Sequence, residues 1–583
     1  IAIPCRIFGT HRVIKWPVYA LLCALIAIDL LVYVVIRVLI YWLTHRAIER
    51  KLNQMSTYAE WRAAAIKADA DEGRDVWQRR EVSEEYDWRH VKATTERLRH
   101  AREKCDYMSL MSMLQLCLKN NAYGEMELSL YTRTRVGTKV LLEEYRDEVC
   151  RSLRALAQYQ PPSGSAIAHA RREFGMAARA SFGGCALVLS GGATFGIFHF
   201  GVVKALVELK LLPPVVCGAS AGAVVAAVTC TRDEKELARI LDDQSDLYRE
   251  MGWGGPLHGS NWWKFCELMT KGRIYDLADF KRHMEWFALG LTFKEAYEKT
   301  GRILTISATP LRTRGRRAVP LQLNYISTPH VDIASAVLAS SCVPGLIDPV
   351  ELLEKGPDGK LRPYHLPGED GERIKMRDGS FESDVPLEAL AATFGATFTV
   401  VSQVNPHVAP FYAHLQGRAG RPSGGRDSTG AWRGGFLLGA IEVALKEDMR
   451  SHLRTLKRLQ LGRALFGVDW SNLWLQPQDG SVVLTPSLTI FDYFTALHNV
   501  TSAEKLAERI SQMERSTWEA SSLIRMRMDV QRALDECCDE LGAPPLVRVP
   551  SSIELRPPVP YSQQNGGGNG KRTKMSPARS RRG

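Results

Sequence analysis

The chain has 583 residues, enough for more than one domain and a large core. Its net charge of +12 is largely local. With no RNA-binding signature or helix-turn-helix pattern, that charge leaves nucleic acid aside and keeps an anionic membrane surface or simple solubility in view. Twelve scattered cysteines, of which only Cys537 and Cys538 are adjacent, read as reduced intracellular thiols, and no spacing calls for zinc or another metal. The chain opens on Ile1 rather than Met, so its first residues do not decide whether a signal peptide is present.

The first strong signal is residues 17–43, PVYALLCALIAIDLLVYVVIRVLIYWL. Between Pro17 and Arg37 the single charge is Asp29, and a bilayer span takes about 20 predominantly apolar residues. Trp16, Tyr19, Tyr41 and Trp42 flank the run as interface aromatics do. Asp29 at mid-span costs about 2.5–3.5 kcal/mol on insertion scales. Two placements stay open: a transmembrane anchor, or a helix or hairpin held in one leaflet, which would also suit a lipid monolayer. Basic residues on both sides give no orientation. Residues 1–46 form this membrane-associated segment.

Residues 47–180 are rich in Glu, Arg, Lys, Leu and Ala, with apolar positions such as Leu110, Leu114 and Leu118 at helical spacing. They predict an all-helical domain whose Trp61, Trp77 and Trp88 pack between helices. From 181 to 410 the pattern becomes α/β. Ala186–Leu189 is a buried strand that runs into Gly191-Gly192-Ala193, then a helix to about Leu209. Val215–Cys217 is a second strand, which ends in Gly218-Ala219-Ser220-Ala221-Gly222 and a helix of small residues. Strand, glycine turn, helix, strand, tight turn, helix predicts two crossovers in a parallel sheet. In such a sheet both turns lie at the carboxyl edge, where ligands bind. Ile303–Ala308 and Phe398–Val404 are further strands, and Ile333–Leu338 a helix. Residues 354–373 form a turn-rich surface insertion. Residues 411–435 read as a disordered basic insertion. Residues 436–545 read as a helical C-terminal region, whose first helix suits a membrane surface or a solvated face equally. Residues 546–583 read as a disordered tail.

The Val215–Thr229 stretch organises the chemistry. Gly218 and Gly222 flank Ser220 as a nucleophile elbow requires, since the strained turn has no room for side chains. The first glycine turn lacks the Gly-Lys-Ser/Thr ending of a phosphate loop and the full dinucleotide fingerprint, so it suits an oxyanion hole of backbone N–H groups better. A base is still needed. His258, His283, His330, His365 and His407 follow the serine, but none stands in a context that marks it. Asp378, directly before Gly379, would sit at the start of a tight turn reachable from a sheet edge, where a carboxylate can take a hydroxyl proton directly.

Three blocks, SGGATFGIFHFGV (190–202), GASAGAV (218–224) and DGSFESDVP (378–386), resemble in order and separation the signature blocks of the patatin-like phospholipase family. The resemblance implies a patatin-like parallel-sheet core with helices on both faces. It also implies a Ser–Asp dyad without histidine, metal or cofactor: Ser220 as nucleophile, Asp378 as base, and amides of Gly191, Gly192 and Ala193 as oxyanion donors. Many patatins carry Arg or Lys before the last glycine of the first turn, where this chain has Phe195, so a contact to a phosphate headgroup is not supplied there. The helical domain, HFGVVKAL (199–206) and the stretch from Ser516 to Cys537 also resemble the plant and fungal triacylglycerol lipases of oil bodies, including the plant sugar-dependent lipase. That likeness implies hydrolysis of triacylglycerol at lipid-droplet or endoplasmic reticulum surfaces, with the catalytic domain facing the cytosol and lipid, not nucleic acid, as partner. Phospholipase A, lysophospholipase or acyltransferase action on phospholipid is the enzymatic alternative, and a non-catalytic droplet scaffold the other. Oligomeric state is open.

Overall fold

Buried β-branched runs set the centre of the molecule. In the computed structural model every residue of strand β1 (Gly184–Leu189) and of β2 (Val215–Gly218) is buried, as parallel strands covered on both faces must be. The structure describes residues 4–543 except 45–46, 163, 252–254, 312–318, 367–372, 409–417, 423–434, 460–472, 474, 489–491 and 494. The expected tail at 546–583 and most of the expected insertion at 411–435 lie outside the described residues.

The remaining strands are β3 (Ile303–Pro310), β4 (Leu321–Asn324), β5 (Val350–Glu351), β6 (Leu353–Lys355), β7 (Leu361–Pro363), β8 (Lys375–Asp378), β9 (Ala396–Ser402) and β10 (Val482–Leu484). The main sheet runs β10-β9-β1-β2-β3-β8-β5, with β4 also pairing with β3. From β10 to β3 the pairing is parallel; β4 and β8 on β3, and β5 on β8, are antiparallel. The antiparallel turn of β8 matters, because it brings the end of β8 back to the edge where β2 ends. The insertion after residue 353 contributes the β6–β7 hairpin.

Helix Ile197–Glu208 follows β1 and helix Ala221–Thr231 follows β2, so the two crossovers expected from the glycine turns are present. The region after 436, expected to be helical, also supplies β10 at the sheet edge. A three-residue strand of Val and Leu beside Thr485 and Pro486 carries too little alternation to stand out from a helix flank. Within the region expected to be helical, one long helix, Ala503–Glu540, runs unbroken because no glycine or proline interrupts it. That helix shares a hydrophobic core with the sheet and with N-terminal helices Trp88–Glu103, Val140–Gln158 and Ala166–Phe182. Trp61 and Trp518 form a second small cluster with Leu52, Ala65 and Ala205.

Gly201 is where helix Ile197–Glu208 meets the long C-terminal helix backbone to backbone. A Cβ there would stand 2.0 Å from the Ile510 carbonyl oxygen and 2.8 Å from the Glu514 nitrogen. Gly201→Ala is therefore expected to cost about 3 kcal/mol or more, since neither backbone can yield as a side chain would. Denaturant unfolding of the full chain measures this, and an unchanged midpoint would refute the close crossing.

Candidate active site

The turn after β2 holds Ser220 at φ +52°, ψ −121°, a conformation that an L-residue adopts only when its surroundings impose it. What imposes it is the glycine on either side. A Cβ on Gly218 would lie 2.4 Å from the Gly222 oxygen, and one on Gly222 would lie 2.1 Å from the Leu189 oxygen. The Ser220 N–H donates to Ser340 Oγ at 2.9 Å, and Ser340 Oγ in turn donates to the Ser307 oxygen at 2.7 Å. The elbow is thus pinned to helix Ile333–Ser340 and to β3.

Asp378 ends β8, fully buried. Its backbone N–H donates to the Cys342 oxygen at 3.1 Å, so the same helix end that fixes Ser220 also fixes Asp378. Gly379 presses on β3: a Cβ there would lie 2.4 Å from the Ser307 oxygen. Asp378 Oδ1 accepts the Ser380 N–H at 2.8 Å. Oδ2 meets no partner in hydrogen-bond geometry among the described residues, which is rare for a buried carboxylate oxygen and marks it for another role. Burial pushes the Asp378 carboxyl up to about 6; the Ser380 N–H, the Ser380 hydroxyl and the Ser220 hydroxyl pull it down. The Ser220 hydroxyl is thus among the groups that favour the ionised form of Asp378. Catalytic pairs often tighten only when substrate arrives.

Ser220, Gly192, Ala193 and Asp378 line one cavity of about 370 Å³. Its wall is mostly apolar, with Leu257, Phe280, Met284, Phe287, Val343 and Ile347 among the contributors. No Lys or Arg is among its described lining residues. His407 lines it too, with burial pushing the imidazole down to about 4. The other candidate histidines are elsewhere. His283 bonds Glu250 at 2.8 Å, His258 packs on Trp263 and Tyr275, and His330 and His365 are not part of the wall.

The first glycine turn divides its donors. Gly191, expected to face an oxyanion, instead donates its N–H to Asp384 Oδ1 at 2.7 Å. That donor is occupied, which removes Gly191 from the expected set of Gly191, Gly192 and Ala193. Their N–H groups bond to no described residue, and Ala193 holds φ +51° at the mouth of the cavity. Gly192 must be glycine there, since a Cβ would lie 2.8 Å from Val404 Cγ2. Phe195, which takes the place of a cation, is buried against Phe198, and the Arg509 guanidinium lies 5.7 Å from both rings.

Asp384 lies within the DGSFESDVP block, yet its partners come from segments far along the chain, so no local signal gave it a role. Its Oδ2 accepts from Asn405 Nδ2 at 2.7 Å, and its N–H donates to Gln476 Oε1 at 3.1 Å. It ties the glycine turn after β1 to the loops after β8 and β9. Burial pushes its carboxyl up to about 7, with the neighbouring Asp378 charge adding to the rise and the Gly191 N–H opposing it. His199, inside the first block, serves the fold: its ring bonds Ser402 Oγ at 2.7 Å and the Ser190 oxygen at 2.9 Å. Outside the cavity, Asp29, Asp448 and His452 bring side-chain ligand atoms together, within 4.8 Å of one another.

The raised carboxyls give two pH dependences of opposite sign. The base role expected for Asp378 requires the ionised form, so any reaction that depends on it is expected to fall as pH drops through about 6. Folded-state values of about 6 and 7 lie above the ordinary 3.8, so the folded chain holds more protons than the unfolded chain between about pH 4 and 7. Stability from these two groups is therefore fully present below about pH 4 and is lost as pH rises through 6 and 7. Initial rates on a soluble ester and unfolding midpoints across pH 4–8, compared with Asp384→Asn for the stability arm, check both directions.

Known proteins align with this arrangement. The patatin-like phospholipase family model matches residues 187–391, which run from β1 to the helix after β8, and a domain of unknown function, DUF3336, matches residues 41–176. A patatin-like phospholipase domain-containing protein of Aspergillus terreus is 34% identical over 585 residues, covering 96% of this chain and 78% of that one. Another so described, from Cryptococcus neoformans var. neoformans, is 36% identical over 538 residues. The alignment covers 90% of this chain but 59% of the Cryptococcus protein, so the chain spans little more than half of that relative's length. Among solved structures, VipD of Legionella pneumophila is similar over 58% of this chain and 66% of its own, at 14% identity and a TM-score of 0.28. The extent of the Aspergillus match, reaching across the helical flanks as well as the sheet, makes this chain a member of the patatin-like phospholipase domain-containing family.

Proposed function

We propose that the chain is a serine lipase that hydrolyses acyl esters of triacylglycerol at a lipid surface through a Ser220–Asp378 dyad. The observation that carries the reading is that strained Ser220 and buried Asp378, whose Oδ2 has no hydrogen-bond partner among the described residues, line the same apolar cavity. An acyl ester enters with its chain along the apolar wall. Asp378 Oδ2 accepts the Ser220 hydroxyl proton as Oγ bonds to the ester carbon. The carbonyl oxygen, now an anion, is met by the Gly192 and Ala193 N–H groups; one such donor is worth about 2.7–4 kcal/mol. The proton then passes to the leaving alkoxide, which departs as the glycerol hydroxyl. Water, deprotonated by Asp378 in the same way, releases the fatty acid.

Preference for a neutral ester over a phospholipid rests on the wall itself. It carries Asp378 and Glu250 but no Lys or Arg among its described residues, and Phe195 brings no cation to the glycine turn. A phosphate headgroup would face carboxylates rather than a counter-charge. Fatty-acid release from triolein, diolein, steryl oleate and phosphatidylcholine emulsions, at equal accessible ester, tests the preference: triolein is expected to lead by at least about tenfold. Phosphatidylcholine in the lead would reverse the substrate assignment and leave the dyad standing. A fluorophosphonate probe is expected to label Ser220, and absence of labelling in folded protein would favour a scaffold.

A further inference from the structure

The apolar N-terminal run is a helix, Pro4–Thr44, and its 17–36 stretch has a mean hydropathy of 2.6. By length it could cross a bilayer. Its neighbour says otherwise. Helix Gly435–Arg458 packs along it, and that helix carries Glu442, Lys446, Glu447, Asp448, Arg450, Arg454, Lys457 and Arg458. Contact is made at the middle of the apolar run. His452 Nε2 lies 3.7 Å from Asp29 Oδ2 and 3.6 Å from Asp448 Oδ1, and Lys446 stands 5.7 Å from the ring of Tyr33, which is completely buried. Lys446 also pairs with buried Glu442 at 3.0 Å. The pairing explains the mid-run acid: Asp29 faces a partner helix, not lipid. If residues 17–36 spanned a bilayer, this whole charged seam would sit at hydrocarbon depth. Each such charge costs about 2.5–3.5 kcal/mol even on the most lenient scale.

The opposite face of the same helix is bare. Leu21, Ile28, Leu31 and Val35 are 57–65% exposed and fall on one side at helical spacing, away from Leu22, Asp29, Tyr33 and Ile36. Exposed Leu437 and Ile441 extend the apolar surface onto the partner helix, and Arg450 and Arg454 stand further along that helix. We propose that helices Pro4–Thr44 and Gly435–Arg458 form a two-helix platform that lies in one leaflet of a phospholipid surface without crossing it. The Leu21–Ile28–Leu31–Val35 face enters the acyl chains and the Asp29–His452 seam faces the protein. Its apolar face and basic residues fit the pattern of interfacial helices, which sink about 5–10 Å. The proposal deepens the lipase reading by stating how the chain meets its surface.

The full chain carrying a glycosylation-acceptor tag ahead of Ile1, synthesised with microsomes, tests the geometry. The tag is expected to stay unglycosylated and open to added protease while the protein floats with the membranes. A glycosylated, protease-protected tag would establish a span and overturn the platform. In a second arm, Ile28→Glu/Leu31→Glu is expected to lose flotation with liposomes of phosphatidylcholine and phosphatidylserine by at least tenfold. The same variant keeps hydrolysis of a short soluble ester, because neither residue lines the cavity. Flotation unchanged in that variant would also overturn the proposal. A wild-type protein that floats as expected but cleaves no ester would instead sink the lipase reading and leave the platform intact.

Discussion

Ser220→Ala is expected to lower fatty-acid release from triolein by on the order of 10⁵-fold or more, and Asp378→Asn by on the order of 10⁴-fold. The first removes the atom that bonds to the ester carbon. The second keeps shape and volume but leaves nothing able to take the proton, and among the described residues the cavity offers no base better placed. His407 lines the wall, and His258, His283, His330 and His365 lie off it. Both variants are expected to fold, since Ser220 Oγ has no structural hydrogen bond among the described residues and Asn at 378 can still accept from the Ser380 N–H. Titrating active sites with a fluorophosphonate separates the two effects. Ser220→Ala cannot be labelled at all, whereas Asp378→Asn is expected to label slowly and to the full extent. Retention of more than a tenth of wild-type activity by either variant would refute the dyad.

Gly222→Ala is expected to be damaging by a different route, in rate and stability together. The added methyl would stand 2.1 Å from the Leu189 oxygen and 2.7 Å from the Ser190 oxygen, both backbone atoms at the end of β1. Either the elbow helix backs away or the end of β1 shifts, and the glycine turn that follows β1 carries the proposed oxyanion donors. A displacement of about 1 Å in such a site can cost about 10²-fold in rate, and the crowding itself about 3 kcal/mol of stability. Rate and unfolding midpoint are expected to fall together in this variant, in contrast to Ser220→Ala, whose midpoint stays near wild type. A Gly222→Ala protein with wild-type rate and midpoint would show that the close approach of elbow and β1 is not required.

Much of the candidate site's backbone was legible because it is written in local backbone chemistry. A run of β-branched residues, a glycine pair that only a tight turn needs, and a helix of small residues identify strand, elbow and helix without knowledge of anything distant. The Asp378-Gly379 turn is local in the same sense. Other parts had no such signature. Ser340, which holds the Ser220 nitrogen, looks like one of several small polar residues at a helix end. Asp384 reads as a turn carboxylate, and only the fold brings it to Gly191, Asn405 and Gln476. The Gly191 N–H could not be known to be occupied before that meeting.

The same division applies to the membrane segment. Composition alone established a helix-length apolar run with one acid at its middle, and left spanning and one-leaflet placements equal. Tertiary structure set His452 and Lys446, more than 400 residues later, against the side that carries Asp29 and Tyr33. Sequence by itself determined the elements whose cause is local: backbone freedom at glycine, β-branching, apolar periodicity. Only the packed chain decided which buried polar groups found partners and which, like Asp378 Oδ2, were left facing a cavity, because hydrogen bonding between distant segments depends on where the sheet order and the helix crossings carry them.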